Sequence, residues 1–285
     1  MTLLGFALEF GLLTPELKLN TKASQLEYPI IRAVDVGQGD AILIEIDADR
    51  QILADVGPSQ SQLATQLRQW LEPGEKIELL IISHLHADHL GGLEALLQSY
   101  PVDSYLVAGN LSTTLTATAA LNELSLTKAQ RLIAEAGQAI DFEPVKLTVL
   151  SPPHNLEGQS FDQAHVATIV LRVEFQSQSA LLTGDLELDN EIDLLARYRD
   201  TTELDIDYLK VSHHGSQNST SPEWLVATTP EVAAISVGRL NRYGHPHQAT
   251  LDRLQEAGVR LFRTDQNGTI STSLADASLF TQTTK

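Results

Sequence analysis

The sequence predicts an α/β fold in which residues 29–274 form one unit. Three observations carry the expectation. Short apolar runs recur along the chain, bounded by Gly- and Asp-rich turns, which is strand patterning. Stretches with helical spacing fall between many of those runs, as they do in α/β units. No linker-like segment divides 29–274, and 285 residues suit one large domain.

The elements follow in order. Residues 1–28 read as an N-terminal extension or linker. MTLLGFALEFGLL (1–13) is apolar but has no basic residue before its apolar stretch and no clear cleavage site, so it is a poor secretory signal. An added strand, a short docking helix and the stump of a membrane segment all fit it. IIRAVDV (30–36), AILIEI (41–46) and QILADVG (51–57) read as strands. SQLATQLRQWL (61–71) repeats apolar residues at helical intervals. IELLIIS (77–83) is a continuous apolar strand buried on both faces. LGGLEALLQSY (90–100) reads as a helix and YLVAG (105–109) as a strand. The Thr- and Ser-rich residues 110–128 are expected to form a loop, and KAQRLIAEAG (128–137) a helix. Strands are expected at 146–152, 168–175, 179–184, 205–212, 231–238, 259–264 and 269–274, with helices at 187–198, near 222–228 and near 248–257.

Composition narrows the function. Apolar residues make up 42% and charged residues 20%, an ordinary globular balance. No apolar run reaches the ~18–20 residues of a bilayer span. Net charge is 19 − 37 = −18, which disfavours electrostatic wrapping of duplex nucleic acid. It leaves room for a nuclease whose metal ions supply local positive charge. There is no cysteine, so disulfides, thiolate metal sites and a Cys nucleophile are excluded. Histidine and carboxylate must carry any metal chemistry.

The strongest signal is Ser83-His84-Leu85-His86-Ala87-Asp88-His89-Leu90-Gly91-Gly92, directly after strand 77–83. His84 and His86 can point one way from an extended segment. Asp88 and His89 then fall at a helix start, facing a second point. Three imidazoles and a carboxylate within six residues suit zinc, manganese or iron and make a poor packing solution. The alternative is a His-rich surface turn. Leu181-Leu182-Thr183-Gly184-Asp185 ends a strand on a carboxylate that would otherwise be an ordinary turn. Val211-Ser212-His213-His214-Gly215-Ser216 follows strand 205–212, and Tyr243-Gly244-His245-Pro246 sets a His on a turn. His245 there is either a structural turn residue or a proton donor and phosphate ligand. Asp40 and Asp55, after glycine-rich or strand-end turns, either orient a ligand His or cap their turns. Ser216, Asn218 and Ser219 offer phosphate donors, and Lys210, Arg239 and Arg242 are the few cations near the motifs.

HxHxDH between a strand and a helix resembles the metallo-β-lactamase superfamily. Asp35-Val36-Gly37-Gln38-Gly39-Asp40, Lys210-Val211-Ser212-His213-His214-Gly215-Ser216 and Tyr243-Gly244-His245-Pro246 sharpen this. Together they look like its ComEC-type branch: the C-terminal domain of a DNA-uptake channel and its stand-alone relatives. The resemblance spans about residues 30–272. It implies an αββα sandwich over residues 29–285, two mixed sheets flanked by helices. It implies two divalent ions, zinc or manganese, held by His84, His86, Asp88, His89, His165, Asp185 and His213, with Asp185 bridging. His165 is favoured over His154 by its spacing to Asp185, and His213 over His214, although the last two are interchangeable. Asp88, His214 and His245 are the implied catalytic groups. Lys210, Ser216, Asn218, Ser219 and Tyr243 are the implied substrate contacts, and Asp40 and Asp55 the supporting carboxylates. Many members of this branch carry Asp where His86 stands and another polar residue near His165. The fuller ligand set here favours a working hydrolase, and leaves channel domain and stand-alone enzyme both open.

The implied activity is a phosphodiesterase or nuclease on single-stranded DNA, in which a metal-bridging hydroxide attacks phosphorus. A lactone, phosphocholine ester or β-lactam as substrate, or a non-catalytic docking module, are the competing readings. The implied setting is extracytoplasmic — periplasmic, secreted or membrane-associated — beside a membrane channel or other DNA-uptake proteins, with a cytoplasmic one as the alternative.

Overall fold

The computed structural model describes residues 26–161 and 163–285. The expectations for residues 1–25 fall outside them. Two β-sheets stack face to face. The first holds β1 (Ile30–Ala33), β2 (Ile42–Glu45), β3 (Gln51–Ala54), β4 (Ile77–Ile81), β5 (Val102–Val107) and β6 (Gln130–Ile133). The second holds β7 (Ala139–Phe142), β8 (Val145–Ser151), β9 (Val170–Phe175), β10 (Gln178–Leu182), β11 (Tyr208–Lys210), β12 (Val232–Ile235) and β13 (Arg260–Arg263). The chain then returns to the first sheet as β14 (Ile270–Ser273) and β15 (Thr281–Thr283). Spatial orders are β15-β14-β1-β2-β3-β4-β5-β6 and β13-β12-β11-β10-β9-β8-β7.

Each sheet is antiparallel at one side and parallel at the other. β3 to β6 run parallel, as do β10 to β13. Parallel neighbours need crossovers, and helices supply them. On the first sheet these are α1 (Leu63–Gln66), α2 (Ala87–Leu90), α3 (Leu93–Ser99) and α4 (Leu115–Leu126). On the second they are α5 (Leu188–Tyr198), α6 (Pro222–Thr228) and α7 (Gln248–Glu256), and α8 (Thr264–Asn267) leads back.

Strand alternation assigns the layers. Ile42, Ile44, Ile52, Leu79 and Ile81 meet Leu147, Val149, Leu171 and Val173 in the core between the sheets. Their neighbours Leu43, Leu53 and Leu80 point the other way, under α1, α3 and α4. Leu181, Leu209 and Ala233 pack outward against Trp224, Leu225 and Leu254. Because both faces are covered, these strands read as unbroken apolar runs. The architecture is the expected αββα sandwich.

Three expectations change. Residues 110–128 are not a loop, because α4 fills 115–126, capped by Thr114 Oγ1 accepting from Ala117 N at 3.3 Å. Its buried face is Ala117, Ala120 and Leu124, while Leu115 and Leu126 are exposed, so apolar residues on both faces hide the helical period. The helix expected at 128–137 is instead strand β6, paired parallel with β5 at the sheet's rim. The helix expected over 90–100 begins only at Leu93, as α3, because Gly91-Gly92 separate it from the short α2. A Cβ on Gly92 would lie 2.3 Å from the Val56 carbonyl oxygen, so only glycine lets this turn press on the 55–59 loop.

Candidate metal centre

The functional side chains sit where parallel strands end. Ligand sites form at the carboxyl ends of such strands because the loops diverge there. β4 delivers Ser83 to His89, β10 delivers Thr183 to Glu187, β11 delivers Ser212 to Ser216, and β12 delivers the 238–247 loop. A short 3-10 turn, Ala164–Ala167, adds His165.

Asp185 lies at the middle, and its two oxygens face different neighbours. Oδ2 is 3.7 Å from Nε2 of His84, of His165 and of His213. Oδ1 is 3.3 Å from His89 Nε2 and 3.6 Å from His214 Nε2. His214 Nε2 is also 3.4 Å from Asp88 Oδ2. Among the groups of side chains here that could hold a metal ion, two sets divide the motif residues, His84, His86, His165 and Asp185, and Asp88, His89 and His214, while His213 groups with His165 and Glu187.

The donor atoms are prepared by their far sides. His89 Nδ1 donates to Asp55 Oδ2 at 2.7 Å, and Asp55 also accepts from the Ser83 amide and hydroxyl. His214 Nδ1 donates to the Ser236 carbonyl at 2.9 Å. His84 Nδ1 lies 3.1 Å from Ser83 Oγ. Glu187 Oε1 sits 3.3 Å from His165 Nδ1 and 3.2 Å from His213 Nδ1. For His89 and His214 the hydrogen bond at Nδ1 leaves Nε2 facing inward, which is how metal-ligating histidines are held.

A divalent ion fits this set. Nε2 of His84, His89, His165 and His214, and Oδ1 of Asp185, are buried without a hydrogen bond. Each such orphan costs about 1–3 kcal/mol unless something takes its lone pair. Nitrogen and carboxylate oxygen without thiolate suit zinc or manganese.

Without an ion, the buried carboxylates draw protons onto two of these rings. Burial alone would raise the Asp185 carboxyl, but the His89 and His214 imidazoles overcome it and hold it well below its ordinary value. Burial opposes charging of His89, and Asp185 and Asp55 reverse that, holding it well above. Burial also opposes charge on His214, yet Asp185 and Asp40 push it up to about 10. His245 is pushed down to about 4 by burial and by His214 and His213.

The structure brings most of the expected residues together. A cleft of about 340 Å³ is lined by His86, Asp88, His165, Asp185, His213, His214, Tyr243 and His245, with Gln38 and Ala87. His154 is exposed and joins neither set. Other expectations are corrected. The sequence favoured His213 as the last ligand and left it interchangeable with His214; His214 groups with Asp88 and His89, and His213 with His165 and Glu187. Consecutive left-handed residues, His213 at φ 46° and His214 at φ 53°, send the two adjacent rings to different neighbours. His213 stands beside Asp185 and Glu187 and borders the cleft. Lys210 is 1% exposed and spends its Nζ on Asp40 at 2.8 Å and the Val211 carbonyl at 2.9 Å, so it offers substrate nothing. Ser219 is fully buried, its hydroxyl donating to the Ser212 and Ser216 carbonyls. Ser216 is buried and Asn218 exposed, and neither lines the cleft.

Sequence reasoning missed Glu187, Ser83, Ser236 and the cleft-lining Gln38. Glu187 had one signal, its place two residues past Asp185 at the start of α5. Ser236 acts through a backbone carbonyl, which no side-chain motif reveals.

Comparison with known proteins agrees with this fold. Residues 34–239 match the family model of the Metallo-beta-lactamase superfamily. ComE operon protein 3 of Bacillus subtilis is 31% identical over 263 residues, covering 83% of this chain and 32% of that protein. Recombination protein 2 of Haemophilus influenzae is 33% identical over 228 residues, covering 79% and 26%. Competence protein ComA of Neisseria gonorrhoeae is 29% identical over 241 residues, covering 84% and 31%. The chain thus spans about a third of the length of these relatives. The metallo-β-lactamase fold protein YhfI of Bacillus subtilis shares the fold with a TM-score of 0.55 at 11% identity, covering 85% of this chain and 99% of that one. A variant of the β-hydroxylase CmlA does so at 0.56 and 12%, covering 88% and 55%. The chain belongs to the metallo-β-lactamase superfamily of metal-dependent hydrolases, and its relatives are of the ComEC type.

Proposed function

We propose that residues 29–285 form a binuclear metal-dependent phosphodiesterase, a nuclease acting on single-stranded DNA. The observation that supports it is the split of ligand atoms about the two oxygens of Asp185, joined to relatives named for competence and recombination. His84, His86 and His165 would hold one ion, Asp88, His89 and His214 the other, and Asp185 would serve both. Bound there, zinc or manganese would supply Lewis acidity at phosphorus and acidify a water to the point of attack near neutral pH.

The chain's own groups do the rest. Asp55 and the Ser236 carbonyl accept from Nδ1 of His89 and His214 and so hold those rings with Nε2 inward. Burial would raise Asp88, but its contact with His214 holds the carboxyl below its ordinary value, so it stays ionised at the cleft. His245, neutral at pH 7, donates an N–H hydrogen bond to a phosphoryl or leaving oxygen. DNA is the proposed partner, in an extracytoplasmic setting beside other uptake proteins.

The test is to strip the chain, reload it with Mn²⁺ or Zn²⁺ and count metal per chain. The same preparation is assayed on bis-p-nitrophenyl phosphate and end-labelled single-stranded DNA, beside Asp185→Ala. Near two ions per chain, with cleavage lost in the variant, is the expected result. Two ions without phosphodiester cleavage would move the substrate to lactones or other esters. No bound metal would overturn the ligand assignment.

A further inference from the structure

The loop after β12 differs from the rest of the surface. In a chain of net charge −18, no Asp or Glu occurs between Glu231 and Asp252, while Arg239 and Arg242 do. Arg239, Leu240, Arg242 and Tyr243 are all exposed, Leu240 at 97% and Tyr243 at 49%. Asn241 holds the loop in shape from within. Its Nδ2 donates to the Gly238 and His245 carbonyls at 2.9 and 2.6 Å, and its Oδ1 accepts from the Tyr243 and His245 amides at 3.1 and 3.0 Å. The exposed side chains therefore stand on a fixed frame.

Flat groups lead outward from the metal-ligating side chains along this frame. The His245 ring lies 5.4 Å from His213 and 6.3 Å from His214. The Tyr243 ring lies 5.7 Å from His245 and only 26° from parallel to it. Arg242 Cζ is 5.0 Å from the Tyr243 ring centre, and its Nη2 donates to the Tyr243 hydroxyl at 2.9 Å. Tyr243 and His245 line the same cleft as Asp88 and Asp185.

We propose that loop 239–245 is a nucleobase platform: Tyr243 stacks a base next to the scissile phosphate, while Arg239 and Arg242 take the neighbouring phosphates. This rests on the phosphodiesterase reading and deepens it, because it names the part of the substrate that the cleft recognises. Stacking on an aromatic ring with Arg beside it needs an unpaired base, and it is tolerant of sequence. A paired base in a duplex has no free face to offer. The platform thus selects single strands where net charge alone would repel any nucleic acid, and the acid-free loop is where that repulsion is weakest.

The test compares two phosphodiesters with one leaving group, thymidine 5′-(p-nitrophenyl phosphate) and methyl p-nitrophenyl phosphate, on the metal-loaded full chain. The expected kcat/KM ratio favours the nucleoside by about 5- to 150-fold, from a stacking gain of ~1–3 kcal/mol per base. Tyr243→Leu should collapse the ratio toward one, and Tyr243→Trp should keep it. A ratio near one in the parent chain, or a ratio unmoved by Tyr243→Leu, overturns the platform. Cleavage of neither ester would instead sink the phosphodiesterase reading. The platform then stands or falls on fluorescence: a single-stranded oligothymidylate carrying 2-aminopurine should be quenched by the parent chain, not by Tyr243→Leu, and its duplex not at all. Absence of quenching overturns the proposal without any turnover.

Discussion

His213 and His214 are adjacent and chemically identical, yet only one joins Asp88 and His89. Removing His214 should therefore take one ion from the chain, and removing His213 none. Elemental analysis of His214→Ala and His213→Ala after reloading should give about one and about two ions per chain. Equal loss in both would refute the assignment. Asp55 acts through His89, so Asp55→Asn should weaken metal affinity or turnover by roughly 10–100-fold, a typical cost of losing such a partner. Titration with a competing chelator measures it. His214 also sets a pH dependence. Without metal its folded value is about 10 against an ordinary 6.5, so its charge stabilises the fold below pH 6.5. That contribution is lost as pH rises through about 10. A bound ion needs the neutral ring instead. The melting temperature of chelator-treated protein should fall from pH 7 to 10, while the gain on adding metal grows. A flat metal-free profile would contradict this.

Individual elements were legible to different degrees, for physical reasons. The continuous apolar run that became β4 announced itself because both its faces are covered. β6 and β7 did not, since as rim strands they carry half-exposed, mixed residues. α4 was hidden by small buried alanines on one face and exposed leucines on others. The turns between elements matter as much as the elements. Gly39 has φ +142°, and a Cβ there would lie 2.2 Å from the Asp88 carbonyl oxygen. Gly39→Ala must move either the turn or Asp88. It should cost roughly 1–3 kcal/mol, as strained backbone does, and should weaken metal binding as well. A thermal melt with an unchanged midpoint would refute the close approach.

Across the whole molecule, the two sheets are tied beneath the site by Asp40 and Lys210, from the turn after β1 and from β11. Their side chains are 2% and 1% exposed and 2.8 Å apart. Removing one partner leaves the other charge buried and alone, which typically costs about 3–5 kcal/mol. Lys210→Met should show a loss of that order in denaturant unfolding. The double variant Asp40→Asn with Lys210→Met should recover part of it, and losses that simply add would argue against the pair. The sequence by itself determined the α/β class, the sandwich family and most of the side chains that gather at the candidate site, because HxHxDH and its companions are local patterns set by strand and helix geometry. Tertiary structure decided that His214, not His213, groups with Asp88 and His89, that Lys210 is a buried strut, and that Asp55 and the Ser236 carbonyl accept from the His89 and His214 rings. Those outcomes depend on backbone twist and on contacts between residues far apart in the chain, which no spacing along the sequence encodes.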